Sequence, residues 1–225
     1  MRKIYFAPVA TFFSIIYGCL GLSLVVFFLL DSKFQIWQTS EVLTIAGFFC
    51  TSFALIIGAY RLYFTINDVP TGEIQPGTRN ERVAMIYQLF IMLIIRPFLQ
   101  NMLIPVPMTR LIYKALGSSV GHATYFPGRI GDPLHFSIGD GCIVGDDSLI
   151  ISHAIEGDRL AFYPVKIGNH VTIGTKAIIM AGVTISDGAL VAAGAVVPKN
   201  THIGANEVWA GTPARRVGST KPMAA

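Results

Sequence analysis

Apolar residues follow three rhythms along this chain. The first is unbroken. No charged residue occurs from Ile4 to Leu30, and Val42 to Tyr60 is a second uncharged run. A helix needs about 20 apolar residues to cross a bilayer. The two runs therefore predict a helical hairpin over residues 1–65, with spans near 8–30 and 42–60. Gly18, Gly21, Gly47 and Gly58 would allow close helix contact. A signal peptide is the competing reading of the first run. Its apolar core is usually shorter, however, and no small-x-small cleavage site precedes Asp31. The second rhythm is punctuated. Residues 66–82 are rich in Pro, Gly and charge and read as a linker. The apolar run 83–95, between Arg82 and Arg96, is too short to span and predicts an interfacial or re-entrant helix. Pro97, Pro105 and Pro107 break the stretch after it. Residues 108–116 predict a short amphipathic helix, lying either at the interface or against the next domain. Together 66–115 form a connecting region.

The third rhythm is a strict six. Ile167, Ile173, Ile179, Ile185, Val191, Val197 and Ile203 recur at one position. The next position is small at Gly168, Gly174, Ser186, Ala192 and Gly204, with Met180 and Pro198 as exceptions. The fifth holds Val171, Ala177, Val183, Ala189, Ala195 and Thr201, and breaks at Glu207. Helices recur at three to four residues and two-sided strands at two. A six suits a short strand and a turn, repeated, with the aliphatic stacked inside a solenoid. An earlier run of sixes leads with Ile138, Val144 and Ile150, but the step from Ile150 to Ile167 is not a multiple of six. The register breaks at 154–164, which reads as a loop thrown out from the coil, the kind of place where sites concentrate.

Composition strengthens the membrane reading: 52% of residues are hydrophobic and only 13% charged, too apolar for an ordinary soluble domain. Lys and Arg near the span ends set orientation. Arg2 and Lys3 precede the first span, Lys33 alone lies in the 31–41 loop, and Arg61, Arg79 and Arg82 come after the second. Both termini and the solenoid are thus expected in the cytoplasm, and membrane lipids are expected neighbours. The net charge of +4 comes without Lys/Arg blocks or interleaved aromatics, which argues against a nucleic-acid partner. Cys19, Cys50 and Cys142 have no paired spacing and imply neither a disulfide framework nor a zinc site.

Five histidines offer chemistry. His170 and His202 fill non-aliphatic slots of regular hexads and read as solvent-facing, while His122 and His135 lie in the irregular first coils. His153 stands at the mouth of the inserted loop. An imidazole there is suited to take a proton near neutral pH. Glu156 and Asp158 are the nearby carboxylates that would orient it, or else solvated loop charges; a main-chain carbonyl is a further choice.

The repeat from about Leu116 to Val217 resembles the hexapeptide-repeat acyltransferases, and it is similar to their sugar O-acetyltransferase branch. The resemblance implies a left-handed parallel β-helix over 116–217, a 218–225 tail, a homotrimer with active sites between neighbouring solenoids, and acetyl-CoA as acyl donor. In that branch a histidine before an interrupting loop is the catalytic base, and an aromatic-Pro step returns the chain to the repeat. The matching residues here are Ser152-His153, Phe162-Tyr163-Pro164 and Ile167 to Gly174. Thr212-Pro213-Ala214-Arg215-Arg216 resembles the segment that closes the solenoid beside the coenzyme groove. The resemblance gives Arg215, Arg216 and Lys199 to phosphates and Thr212 to the same groove. It lets the pantetheine arm pass Gly174, Ala192, Ala193 and Gly194, although small residues also simply fit tight turns. The chain departs from the soluble branch in its two spans and in Thr172, where many relatives carry an aromatic. Asp132-Pro133-Leu134 with Ile138-Gly139-Asp140 resembles membrane-attached members found in polysaccharide gene clusters and at the ends of peptide-synthetase-like enzymes. Carbonic anhydrases share the solenoid but need three histidines, two of them close together. No HxxxxH pair occurs, so no metal is expected.

These features together predict a bacterial inner-membrane acetyltransferase. It would act on a saccharide at the membrane, either a lipid-linked sugar or a polysaccharide. An N-acyltransferase and a non-catalytic scaffold are the alternatives.

Overall fold

The structure, a computed structural model, describes residues 5–34, 40–100 and 104–220. Arg2 and Lys3, residues 35–39 of the loop after the first run, and the end of the tail lie outside the described residues.

The first two apolar runs form helices α1 (Phe6–Phe34) and α2 (Glu41–Ile66), the second opened by Ser40, whose hydroxyl accepts from Leu43 N–H. They pack side by side, and Ser23 and Ser52 share a buried 2.8 Å hydrogen bond between them. A Cβ on Gly47 would touch Phe27, but at Gly18, Gly21 and Gly58 it would meet nothing within 4 Å. Close contact within this chain thus uses only one of the four glycines.

A third helix corrects the expected short one. Thr78 accepts from Glu81 N–H while Glu81 accepts from Gly77 N–H, a reciprocal cap that starts α3 (Arg79–Leu89) well before the apolar run. The helix then widens into a π-helical stretch, Phe90–Ile95, and continues as α4 (Arg96–Gln100). Pro97 does not break the chain as expected. A proline removes a donor and pushes away the carbonyl four residues earlier, and the wider turns just before it accommodate that. Arg79–Leu99 is consequently long and apolar enough to cross a membrane, as are Phe6–Lys33 and Glu41–Ile66. Phe90 ties the three helices together, with ring centroids 5.0 Å from Phe12 and 5.5 Å from Tyr60.

Helix α5 (Val106–Ala115) carries Pro107 in its first turn, where a missing N–H does no harm. Its Tyr113 is buried and accepts from Ile130 N–H at 3.1 Å, which docks the helix on the first coil. Met108 and Leu111 on the same helix remain exposed.

Beyond it the chain winds into a three-faced parallel solenoid. Ile173 pairs with Val191, Ile179 with Val197 and Ile185 with Ile203, a step of 18 residues (191 − 173), or three hexads per coil. The seven leading aliphatics, Ile167 to Ile203, are at most 5% exposed. Each coil turns its corners through left-handed backbone. Positions 170, 176, 182, 188, 194, 200 and 206 all have φ between 54° and 77°, and Gly or Asn fills the last five. Ile179 is fully buried between Ile150 and Val197 in the coils on either side. Ile179→Ala is therefore expected to cost about 2–5 kcal/mol in denaturant unfolding of the purified protein. A loss below about 1 kcal/mol would mean that the coils do not share a packed core.

The register break is structured. Ile138 pairs with Ile167, a step of 29 residues (167 − 138), which is one coil plus 11. The extra residues form a hairpin, His153–Glu156 against Arg159–Phe162, turning at Gly157-Asp158. A third strand, Gly72–Ile74, joins it from the segment read as a linker. This sheet replaces the expected plain loop. The Gly-Asp pair is a hairpin signal, but the stabilising third strand comes from far along the chain.

Candidate active site

His153 opens the inserted hairpin at a corner of the solenoid. The first coils fix what faces it. Ile130 pairs with Ile150, so Asp132 lies beside Ser152 and His153 one coil away. The Asp132 side chain has no exposed surface, and its Oδ2 accepts from Ser152 N–H at 2.8 Å and His153 N–H at 3.0 Å. The same oxygen lies 2.7 Å from His153 Nδ1. The other carboxylate oxygen accepts from Gln88 Nε2 on α3 at 3.4 Å. A carboxylate facing Nδ1 makes that nitrogen the donor, so in the neutral ring Nε2 keeps a free lone pair. Burial works to lower the His153 pKa. The hydrogen bond and charge of Asp132 outweigh it, and despite the opposing charge of Arg96 the net value is raised above 6.5.

The hydrogen bond expected of Glu156 or Asp158 is thus made by Asp132. Glu156, two residues beyond Ala154 on the hairpin strand, instead pairs with Lys199. Asp158 sits in the hairpin turn, exposed. Sequence reasoning misses Asp132 as a site residue because the step from 130 to 150 is 20 residues (150 − 130), not a regular 18. Its one sequence signal is the Asp132-Pro133-Leu134 segment. Among the other histidines, His170 and His202 are exposed as expected. His135 is buried and stacked on Phe162 at 4.9 Å, and burial lowers its pKa, so it belongs to the core.

The residues expected to hold the coenzyme fall into two groups. Gly174, Ala192, Ala193, Gly194 and Thr212 gather at one edge of the face formed by Ile178–Ile179 and Val196–Val197, where Thr212 Oγ1 donates to the Gly194 carbonyl at 3.5 Å. Lys199 is at the opposite edge, with Glu156 and His153. Gly174 answers to the solenoid itself, since a Cβ there would come within 2.3 Å of Ala193 N in the next coil. Gly194 meets nothing within 4 Å, and only its φ of +68° asks for glycine. Arg215 and Arg216 lie on the closing strand Ala214–Ser219, both exposed, with Arg216 Nε 3.1 Å from Glu207.

Two cavities meet at His153. One of about 280 Å³ runs along the solenoid edge past Met180, Ala181 and Lys199. The other, of about 330 Å³, lies between the first coils and the π-helical stretch of the third helix. Among the described residues no three His, Cys, Asp or Glu side chains are gathered to hold a metal ion.

Residues 164–199 match the bacterial transferase hexapeptide (six repeats) family. The chain is 33% identical to gamma carbonic anhydrase 1, mitochondrial, of Arabidopsis thaliana, over 46% of this chain and 42% of that protein. It is 31% identical to galactoside O-acetyltransferase of Escherichia coli (strain K12), over 46% of this chain and 56% of that one. It thus spans about half the length of these curated relatives. A galactoside acetyltransferase solved in complex with coenzyme A shares the fold, with a TM-score of 0.50 and 20% identity over 66% of this chain and 86% of that one.

Proposed function

We propose that this chain, whose residues 164–199 match the bacterial transferase hexapeptide family, is a membrane-anchored acetyltransferase acting on a saccharide hydroxyl. The observation that carries the reading is His153 held through Nδ1 by buried Asp132, with both cavities opening onto it. In the reaction His153 Nε2 takes the hydroxyl proton as the oxygen attacks the thioester carbonyl of acetyl-CoA. The C–O bond forms, the C–S bond breaks, and the imidazolium returns the proton to the leaving thiolate. Asp132 holds the ring and stabilises its charged form, while backbone N–H groups of the adjacent coil serve the oxyanion. No residue is acylated.

Lys199, Arg215 and Arg216 fit the coenzyme phosphates through paired, charge-assisted hydrogen bonds. The small residues and Lys199 flank opposite edges of one face, an arrangement that suits a homotrimer in which a neighbouring solenoid closes the groove. Helices Phe6–Lys33 and Glu41–Ile66, each long and apolar enough to cross a membrane, support a two-span anchor that returns the chain to the side on which it began, while the third helix packs on the solenoid through Gln88 and Asp132. The positions of Lys and Arg support a bacterial inner-membrane protein with its solenoid in the cytoplasm.

The test is acetyl transfer by the detergent-solubilised protein, with acetyl-CoA and panels of lipid-linked saccharides, soluble saccharides and amines. Transfer to a saccharide hydroxyl supports the reading. Transfer only to an amine makes the chain an N-acyltransferase. Absence of coenzyme A binding would leave a scaffold. Stoichiometric zinc in the assembled protein, shared between copies, would favour the carbonic anhydrase likeness instead.

A further inference from the structure

The second cavity at His153 is built unlike the first. Its far wall is the π-helical stretch and α4, which present Ile91, Met92, Ile95 and Leu99. These residues belong to a helix apolar and long enough to cross a membrane. Met92 is 56% exposed and Ile155, on the opposite lip, 67% exposed, so large apolar side chains stand in the open at its margin. Two guanidinium groups sit among them, Arg96 and Arg129, and the lining contains no Asp or Glu. Arg129 is partly neutralised by Asp147 at 2.8 Å, yet its Nε is buried without a hydrogen-bond partner. Arg96 is exposed, and among the described residues no carboxylate pairs with it. An apolar wall, one guanidinium without a carboxylate partner, a second partly neutralised, and His153 in one cavity suit an amphiphile that carries negative charge where its chain ends and its reactive part begins.

We infer that this cavity binds the lipid carrier of the acceptor, a long-chain polyisoprenyl phosphate, with the chain against Ile91, Met92, Ile95 and Leu99 and the phosphate on Arg96 and Arg129, so that the attached sugar reaches His153. The inference rests on the acetyltransferase reading for its purpose but not for its test. The apolar wall stabilises a hydrocarbon chain by removing it from water. A planar guanidinium meets phosphate oxygens through two parallel hydrogen bonds, and Arg96 is available to do so. Ile91, Met92 and Ile95 of the π-helical stretch line the same cavity as His153, Arg96 and Arg129. The solenoid-edge cavity, lined by Met180, Ala181, Glu156 and Lys199, is left for the acyl donor, so the two substrates approach the imidazole through different cavities.

The full-length protein in lipid nanodiscs is titrated with a radiolabelled long-chain polyisoprenyl monophosphate, with the neutral polyisoprenol, and with inorganic phosphate as competitor. Wild-type protein is expected to hold the lipid phosphate and to discriminate against the alcohol. Arg96→Ala is expected to weaken lipid phosphate binding by about tenfold or more, with Arg96→Lys intermediate. Arg96 is exposed, so loss of fold does not cloud the variant. Equal binding of alcohol and phosphate, equal binding by wild type and Arg96→Ala, or displacement by inorganic phosphate at the affinity of the lipid would each overturn the inference. Acetyl transfer to a released saccharide as efficient as to its lipid-linked form would overturn it too, while leaving the acetyltransferase reading intact. Arg96-dependent lipid phosphate binding without any acetyl transfer would do the reverse.

Discussion

His153→Ala is expected to lower kcat for acetyl transfer by about 10²–10⁴-fold, with the KM for acetyl-CoA little changed. A positioned general base acts only as the hydroxyl oxygen attacks, so its removal strips an interaction made in the transition state and spares donor binding. The variant should fold. His153 is on the inserted hairpin at a solenoid corner, its side chain 28% exposed, and it contributes nothing to the stacked aliphatic core. Its backbone N–H still has Asp132 to donate to. A folded, acetyl-CoA-binding variant with full activity would remove His153 from the chemistry.

Asp132→Asn is expected to lower kcat/KM by about 10–100-fold, the worth of a hydrogen bond to a charged partner expressed as rate. It should also displace the pH profile. The base must be neutral, and burial, Asp132 and Arg96 together leave the His153 pKa raised above 6.5. Wild-type kcat/KM should therefore rise with pH on a limb lying above 6.5. With the carboxylate gone, both raising influences are lost, and burial and Arg96, which lower the pKa, remain. The limb should move to lower pH while the plateau falls. The amide keeps an oxygen for the two backbone N–H groups, which Asp132→Ala would leave buried and unmet. A pH–rate profile of both proteins decides the matter. A fallen plateau with an unmoved limb would mean that Asp132 is structural and does not set the charge state of the base.

The site is legible where it coincides with a fault in the repeat. His153 announces itself because the sixes stop beside it, and a solenoid rewards every uninterrupted coil. Its partner is not legible. Glu156 and Asp158 are close in sequence, but the hairpin strand carries Glu156 away to Lys199 and the turn takes Asp158 outward. Asp132 is a coil distant and arrives through an irregular step that no period of six describes. The residues proposed for the coenzyme are named from the sequence one by one. That Gly174 and Lys199 lie at opposite edges of a face comes only from the winding.

The sequence by itself determined the solenoid from 164 onward and the two long apolar helices. In both cases the determining pattern repeats at short range: an aliphatic every six residues meets its like one coil away, and in a long uncharged run of helix-forming length every backbone group finds its partner within the segment. The longer third helix follows from a local cap, Thr78 and Glu81 three residues apart. Tertiary structure alone decided two things. A strand from 72–74 turned the inserted loop into a sheet, and the first coils brought Asp132 beside His153. Both depend on contacts between segments far apart in the chain, and such contacts leave no period to read.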